Sequence, residues 1–167
     1  HPNHLIYSPF GYLAYWLTQT LGFTFRAIQV LQVVNSVASV IAAYVLFKIL
    51  SESFRSRYIA WCLTFLFAFS ATWWKFSIDA DAYIISVLFI LISFYLILPT
   101  RTPRPWLLIA TFSLAVFFHQ LAVLFYPIVI LGLVWQTNFG VRRRVFNESQ
   151  AKAVTSHRTP KWVVLQF

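Results

Sequence analysis

Charged residues cut this chain into long apolar runs. Residues 27–47 lie between Arg26 and Lys48, residues 58–76 follow Arg55 and Arg57, and residues 82–98 follow Asp79 and Asp81 and end before Pro99, Arg101 and Arg104. Each run is about the length of one bilayer crossing, roughly 20 residues for a 30 Å hydrocarbon layer. A fourth run, 106–135, precedes Arg142, Arg143 and Arg144. It is too long for one crossing and short for two. Cytoplasmic loops concentrate Lys and Arg. If Lys48, Arg55, Arg57, Arg101, Arg104 and Arg142–Arg144 all face the cytoplasm, the fourth run must cross an even number of times. The pattern therefore predicts two short helices, 106–119 and 121–135, that turn at His119-Gln120.

The first 24 residues then lie outside. Tyr7-Ser8-Pro9-Phe10 has the form of a helix entry, with Ser8 as cap and Pro9 at the first helical position. A helix over 12–21 would end at Gly22. It is too short to cross, and Phe10, Tyr12, Tyr15 and Trp16 suit the outer headgroup layer. The expected fold is all-α, a polytopic transmembrane bundle of about five membrane helices plus this interfacial helix. The expected organisation is an extracytoplasmic loop (1–24), the bundle (25–140), a basic cytoplasmic loop (141–161) and the start of a further span (162–167).

Composition narrows the class. Of 167 residues 60% are hydrophobic and 10% charged, against about 25% charged in ordinary soluble domains. Disorder requires the opposite balance, and a soluble domain of this size has no room to hide so much apolar surface. The formal net charge is +9. On the topology above, 11 of the 13 basic residues face inside and only Arg26 and Lys75 face out. The charge thus reports orientation, and no nucleic-acid partner is expected. Cys62 stands alone, so there is no disulfide framework. The sequence contains no Met, and the expectation is that it is an internal fragment.

The chemistry-bearing residues gather on the outer side: His4 and Tyr7; Trp74, Lys75, Asp79, Asp81 and Tyr83; and His119 with Gln120. Ionisable groups near membrane depth are costly and tend to be functional. Asp79 and Asp81 have several uses open to them: acid–base work, metal ligation, holding sugar hydroxyls, or capping the helix over 82–98. A helix beginning near Asp79 would put Asp79, Tyr83, Ser86, Ile90 and Ser93 on one face. Lys75 offers a point charge for phosphate or snorkels at a span end, and Arg26 is better explained by snorkelling. Trp73 and Trp74 are interfacial anchors or stacking surfaces for a sugar. His119, at a turn below the membrane surface, needs a buried or wet setting. Gln29, Gln32, Ser36 and Ser39 form a stripe suited to helix packing, from which Gln29 and Gln32 could reach the outer cavity. His1 and His4 are three apart, but Pro2 opposes a helix and no third ligand is matched, so no metal site is assigned. No GxGxxG, Walker A, GxSxG, HExxH or CxxC motif occurs.

One arrangement resembles a known group. His1-Pro-Asn-His4-Leu-Ile-Tyr7-Ser-Pro9, Asn35-Ser36 within a span, Trp74-Lys75-Phe-Ser-Ile-Asp79-Ala-Asp81-Ala-Tyr83, and Val116-Phe-Phe-His119-Gln120 follow one another. In order and spacing, over residues 1–140, this is similar to the membrane-embedded glycosyltransferases of the GT-C superfamily, such as protein O-mannosyltransferase-like and aminoarabinose-transferase-like proteins. The resemblance implies transfer of a sugar, with inversion, from a polyprenyl-phosphate donor to an acceptor on the outer face of a bacterial cytoplasmic membrane. It implies that the main catalytic carboxylate precedes His1, and that a fragment lacking it is inactive. Asp79 and Asp81 become the candidate acidic residues of a second outer loop. Lys75, His119, Gln120, His4, Tyr7, Tyr83 and Trp74 become candidate substrate contacts. The partners would be the lipid-linked sugar, membrane lipids and an acceptor of unspecified kind. No cofactor is expected; divalent-metal use varies across the superfamily. The alternatives are a transporter or channel with an outward polar pocket, or a membrane scaffold. A transport path carries polar groups across the midplane, whereas here the ionisable residues stay at the outer end.

Overall fold

The computed structural model describes residues 6–54, 56–98 and 104–138. The regular elements among them are all helical: α1 (Tyr7–Thr20), α2 (Ala27–Phe54), α3 (Arg57–Ala68), α4 (Ala71–Ile78), α5 (Tyr83–Ile97), α6 (Pro105–Phe118) and α7 (Gln120–Asn138). The first six residues of α7, Gln120–Phe125, are a 3₁₀ turn. Two helices, α2 and α7, are long and apolar enough to cross a membrane, and a third crossing arises if α3 and α4 form one broken span. α5 and α6, at 15 and 14 residues, are apolar but shorter. His4, Arg55, Arg101 and everything after Asn138, including the expected basic loop and further span, lie outside the described residues.

α1 begins one residue before the expected Ser8 cap. Ile6 occupies the cap position and makes no side-chain hydrogen bond, while Pro9 sits in the first turn, where a missing N–H costs nothing. The other end is as expected. Gly22 has φ +84°; its N–H donates to Gln19 O at 3.0 Å, and the Phe23 N–H donates to Thr18 O at 3.0 Å. This crossed pair satisfies carbonyls that the helix end leaves open.

α2 runs past the expected boundary at residue 47 to Phe54. The cation at Lys48 marks a change of surroundings and not a helix stop, because Lys, Ser and Glu are tolerated in helices. The expected 58–76 span is broken: α3 and α4 are bent by 61°. Ser70 explains the joint. Its Oγ donates to Phe67 O at 2.8 Å and accepts from the Trp73 N–H at 3.3 Å, so one hydroxyl serves both helix ends.

α5, α6 and α7 run up, down and up against one another. The Ser86 Oγ donates to Ala115 O at 2.9 Å, and Ser93 and Thr111 share a hydroxyl pair at 3.0 Å. α7 folds back along α6, since Val129 packs with Leu108 and Phe112 and Gln136 Nε2 donates to Leu96 O at 2.9 Å. The reversal at His119 expected from the charge pattern is therefore present in the fold. Ala38 and Ala42 let α2 pack closely on α5 at Ile84 and Ile85, with Trp73 and Phe118 completing this core. Large apolar side chains such as Val40, Leu66, Leu124 and Leu131 are left on the outer faces, as lipid-facing surfaces require.

Candidate functional site

The site is built around a side chain buried in α2. Asn35 is wholly excluded from solvent. Its Nδ2 donates to Asp79 O at 2.6 Å and to Asp81 O at 2.7 Å. The next residue, Ser36, directs Oγ to Ser77 O at 3.2 Å and to Gln32 O of its own helix at 2.8 Å. Neighbouring side chains of one helix thereby fasten two carbonyls of the α4–α5 connection and one in the last turn of α4. Backbone acceptors in a low-dielectric interior demand such partners.

This fastening sets the two carboxylates apart. α4 ends at Ile78, with Asp79 extended at φ −82°, ψ 151°, and α5 starts only at Tyr83. Asp79 therefore does not share the helical face of Tyr83, Ser86, Ile90 and Ser93. Those positions form their own inward stripe, in which Ser86 and Ser93 bind α6. Asp79 is exposed and lines a groove of about 400 Å³ together with Gln29, Gln32, Val33, Ser36 and Ile78. Asp81 turns back on the chain, its Oδ1 accepting from the Ala82 N–H at 2.7 Å. It also acts on Tyr7. Burial pushes the Tyr7 phenol up to about 12, the nearby Asn35 amide opposes this, and the negative charge of Asp81 adds to it. α1 is thus tied to the same connection through Tyr7, Asn35 and Asp81.

His119 and Tyr83 form a second group. The rings stack with centroids 4.2 Å apart at 34°, and Phe76 abuts Tyr83 at 4.9 Å. His119 is buried, and its Nδ1 accepts from the Leu121 N–H at 3.3 Å, capping the 3₁₀ start of α7. Gln120 beside it is exposed. Of the polar turn, His119 is thus enclosed by protein and Gln120 is not. Phe118 reaches α1, edge-on to Phe10 at 5.5 Å, so the helical turn, α1 and the α4–α5 connection share one end of the bundle.

Trp74 and Lys75 point outward on α4, while Trp73 is buried against Phe67 at 4.3 Å. No ion pair among the described residues joins Lys75 to Asp79; the link between them is backbone, Asp79 N–H to Lys75 O at 3.2 Å. His4 lies outside the described residues. The described residues bring together no group of three His, Cys, Asp or Glu side chains able to hold a metal ion. The sequence pattern missed the organising role of Asn35. Its signal was one amide among three in an apolar run (Gln29, Gln32, Asn35), and its partners 44 and 46 positions away are backbone atoms that no residue pattern displays. Gln29 and Gln32 line the groove beside Asp79. Gln29 also accepts from the Arg26 N–H through Oε1 at 2.9 Å, fixing the start of α2.

Chemically, the groove presents a carboxylate acceptor, two amides that donate and accept, and a hydroxyl, beside Val33 and Ile78. That mixture fits a polyhydroxylated ligand, whose hydroxyl edges need fixed polar partners and whose C–H faces need apolar ones. No family model, no curated protein and no solved structure matches the chain.

Proposed function

We propose that this protein transfers a sugar from a polyprenyl-phosphate-linked donor to an acceptor at the extracytoplasmic face of a membrane. The observation that carries the reading is the Asp79 groove: one carboxylate, held in place by the Asn35 clamp on its own carbonyl, facing Gln29, Gln32 and Ser36. In this reading α2, the broken α3–α4 pair, α5, α6 and α7 make up the membrane part. α1 lies in the outer headgroup layer with the exposed Tyr12 and Trp16 toward lipid.

Displacement at an anomeric carbon builds positive charge on the sugar ring and negative charge on the departing phosphate. The acceptor hydroxyl must lose a proton as it attacks. Asp79 is suited to hold a hydroxyl of sugar or acceptor, the Gln amides to orient its neighbours, and Lys75, one turn back on α4, to meet phosphate charge. Asp81 positions: its carboxylate caps Ala82 and faces Tyr7.

The test is transfer of radiolabelled sugar from a panel of polyprenyl-phosphate donors in membranes containing the full-length protein, in which the carboxylate expected ahead of His1 is present. Asp79→Asn and Gln32→Leu are each expected to lower transfer by at least about tenfold, the loss of one specific hydrogen bond to a charged or polar partner. Wild-type rates in both variants, or no transfer from any donor by the full-length protein, would overturn the reading.

A further inference from the structure

At the opposite end of the bundle, α2 carries a cation that the sugar-transfer reading does not use. Lys48 lies 21 residues beyond Ala27, which is about 32 Å along the helix axis and close to the ~30 Å thickness of a hydrocarbon core. If the start of α2 lies at one headgroup layer, Lys48 reaches the other. It is half-buried, and its ammonium sits over the Tyr44 ring, 5.5 Å from the centroid. Such a contact orients the cation without consuming its hydrogen-bond donors.

Lys48, Tyr44, Val45 and Tyr95 line an open pocket of about 240 Å³ between α2 and α5. The sequence neighbours of Lys48 and Tyr95, namely Ile49 and Phe94, line a second, larger space of about 420 Å³ that runs to Leu131 and Trp135 of α7 and has apolar walls. Two further cations stand at this end: Arg57 opens α3 directly after α2, and Arg104 precedes α6 directly after α5. Both are exposed. The opposing carboxylate on this stretch of α2, Glu52, is itself engaged.

We infer that this end binds the phosphate of one anionic membrane phospholipid at Lys48, between Tyr44 and Tyr95, with an acyl chain in the apolar space beside Ile49 and Phe94. Three features support a lipid source for that phosphate. The site sits one membrane thickness from the start of α2, the adjoining space is apolar, and the surrounding charge is complementary to an anionic leaflet. A lysine that only snorkels would neither need the aromatic seat nor distinguish one headgroup from another. The inference does not depend on the sugar-transfer reading.

Native mass spectrometry on the protein in neutral-detergent micelles tests it, with phosphatidylglycerol or phosphatidylcholine of identical chains added. The unaltered protein is expected to retain one phosphatidylglycerol in preference to phosphatidylcholine by about tenfold or more. Lys48→Gln should erase the preference and Tyr95→Phe, which keeps the ring and the packing, should weaken it. Equal retention of the two lipids by the unaltered protein overturns the site, as does an undiminished preference in both variants. Displacement of phosphatidylglycerol by millimolar inorganic phosphate would show a soluble-anion site and overturn the lipid assignment.

Discussion

Asn35 donates both amide protons to backbone carbonyls at 2.6 and 2.7 Å, and removing it leaves two acceptors facing an apolar interior. Asn35→Leu is expected to cost about 1–3 kcal/mol through those unsatisfied groups, seen as a lower thermal midpoint in detergent. A midpoint equal to that of the unaltered protein would show that the connection holds without the clamp. Tyr7 reports the same junction by titration. Its pKa is raised from 10 to about 12, so the folded state holds the phenolic proton more tightly than the unfolded chain. The stability linked to this proton is complete below pH 10 and is lost as pH rises through about 12. Asp81→Asn removes a charge that raises the value and should lower the Tyr7 transition in ultraviolet difference titration. Tyr7→Phe should remove that transition and flatten the alkaline decline. Tyr7, Asp79, Asp81, Tyr83 and His119 were legible because polar side chains are scarce in this chain. Their sorting into separate groups was not, because it follows from where α5 starts, and that is set by Asn35 from a distant helix.

Helix positions were easier to see than helix interruptions. The run at 82–98 became Tyr83–Ile97, and the run at 106–119 became Pro105–Phe118, since charge and Pro mark both boundaries. The break at Phe69-Ser70 escaped because the residues on either side are equally apolar, and only the hydroxyl of Ser70 distinguishes the joint. Ser70→Ala should destabilise the α3–α4 junction by about 1 kcal/mol, the usual worth of such a cap. Gly132 escaped for a similar reason. In a span it resembles any small residue, yet a Cβ there would run into the side chain of Ile97, where α7 packs on the end of α5. Gly132→Val is expected to cost about 1–3 kcal/mol by overpacking, and a thermal midpoint unchanged in the same detergent would show that Ile97 gives way freely.

For the whole molecule, the reversal at His119 and the uneven charge make one joint statement about topology. The α4–α5 connection, α1 and the α6–α7 turn meet at one end, through Phe10–Phe118 and Tyr83–His119. Lys48, Arg57 and Arg104 stand at the other. Since basic residues mark the cytoplasmic side, the end bearing Asp79 should face out. Short helices such as α6 reach only about 21 Å, so the turn at Gln120 should lie slightly below the surface and yet be reached by water. Cysteine labelling in intact cells tests side and depth together, on a background in which the exposed Cys62 is replaced by Ala. Gln120→Cys should react with a small membrane-impermeant maleimide added outside, and more slowly with a bulky one. Thr137→Cys, exposed at the far end of α7, should react only after the cells are opened. Outside reaction of both would place the α6–α7 hairpin on the membrane surface instead of across it. The opposite pattern, with Gln120→Cys reached only from within, would invert the bundle and move the Asp79 groove to the cytoplasmic side, against the proposed extracytoplasmic reaction.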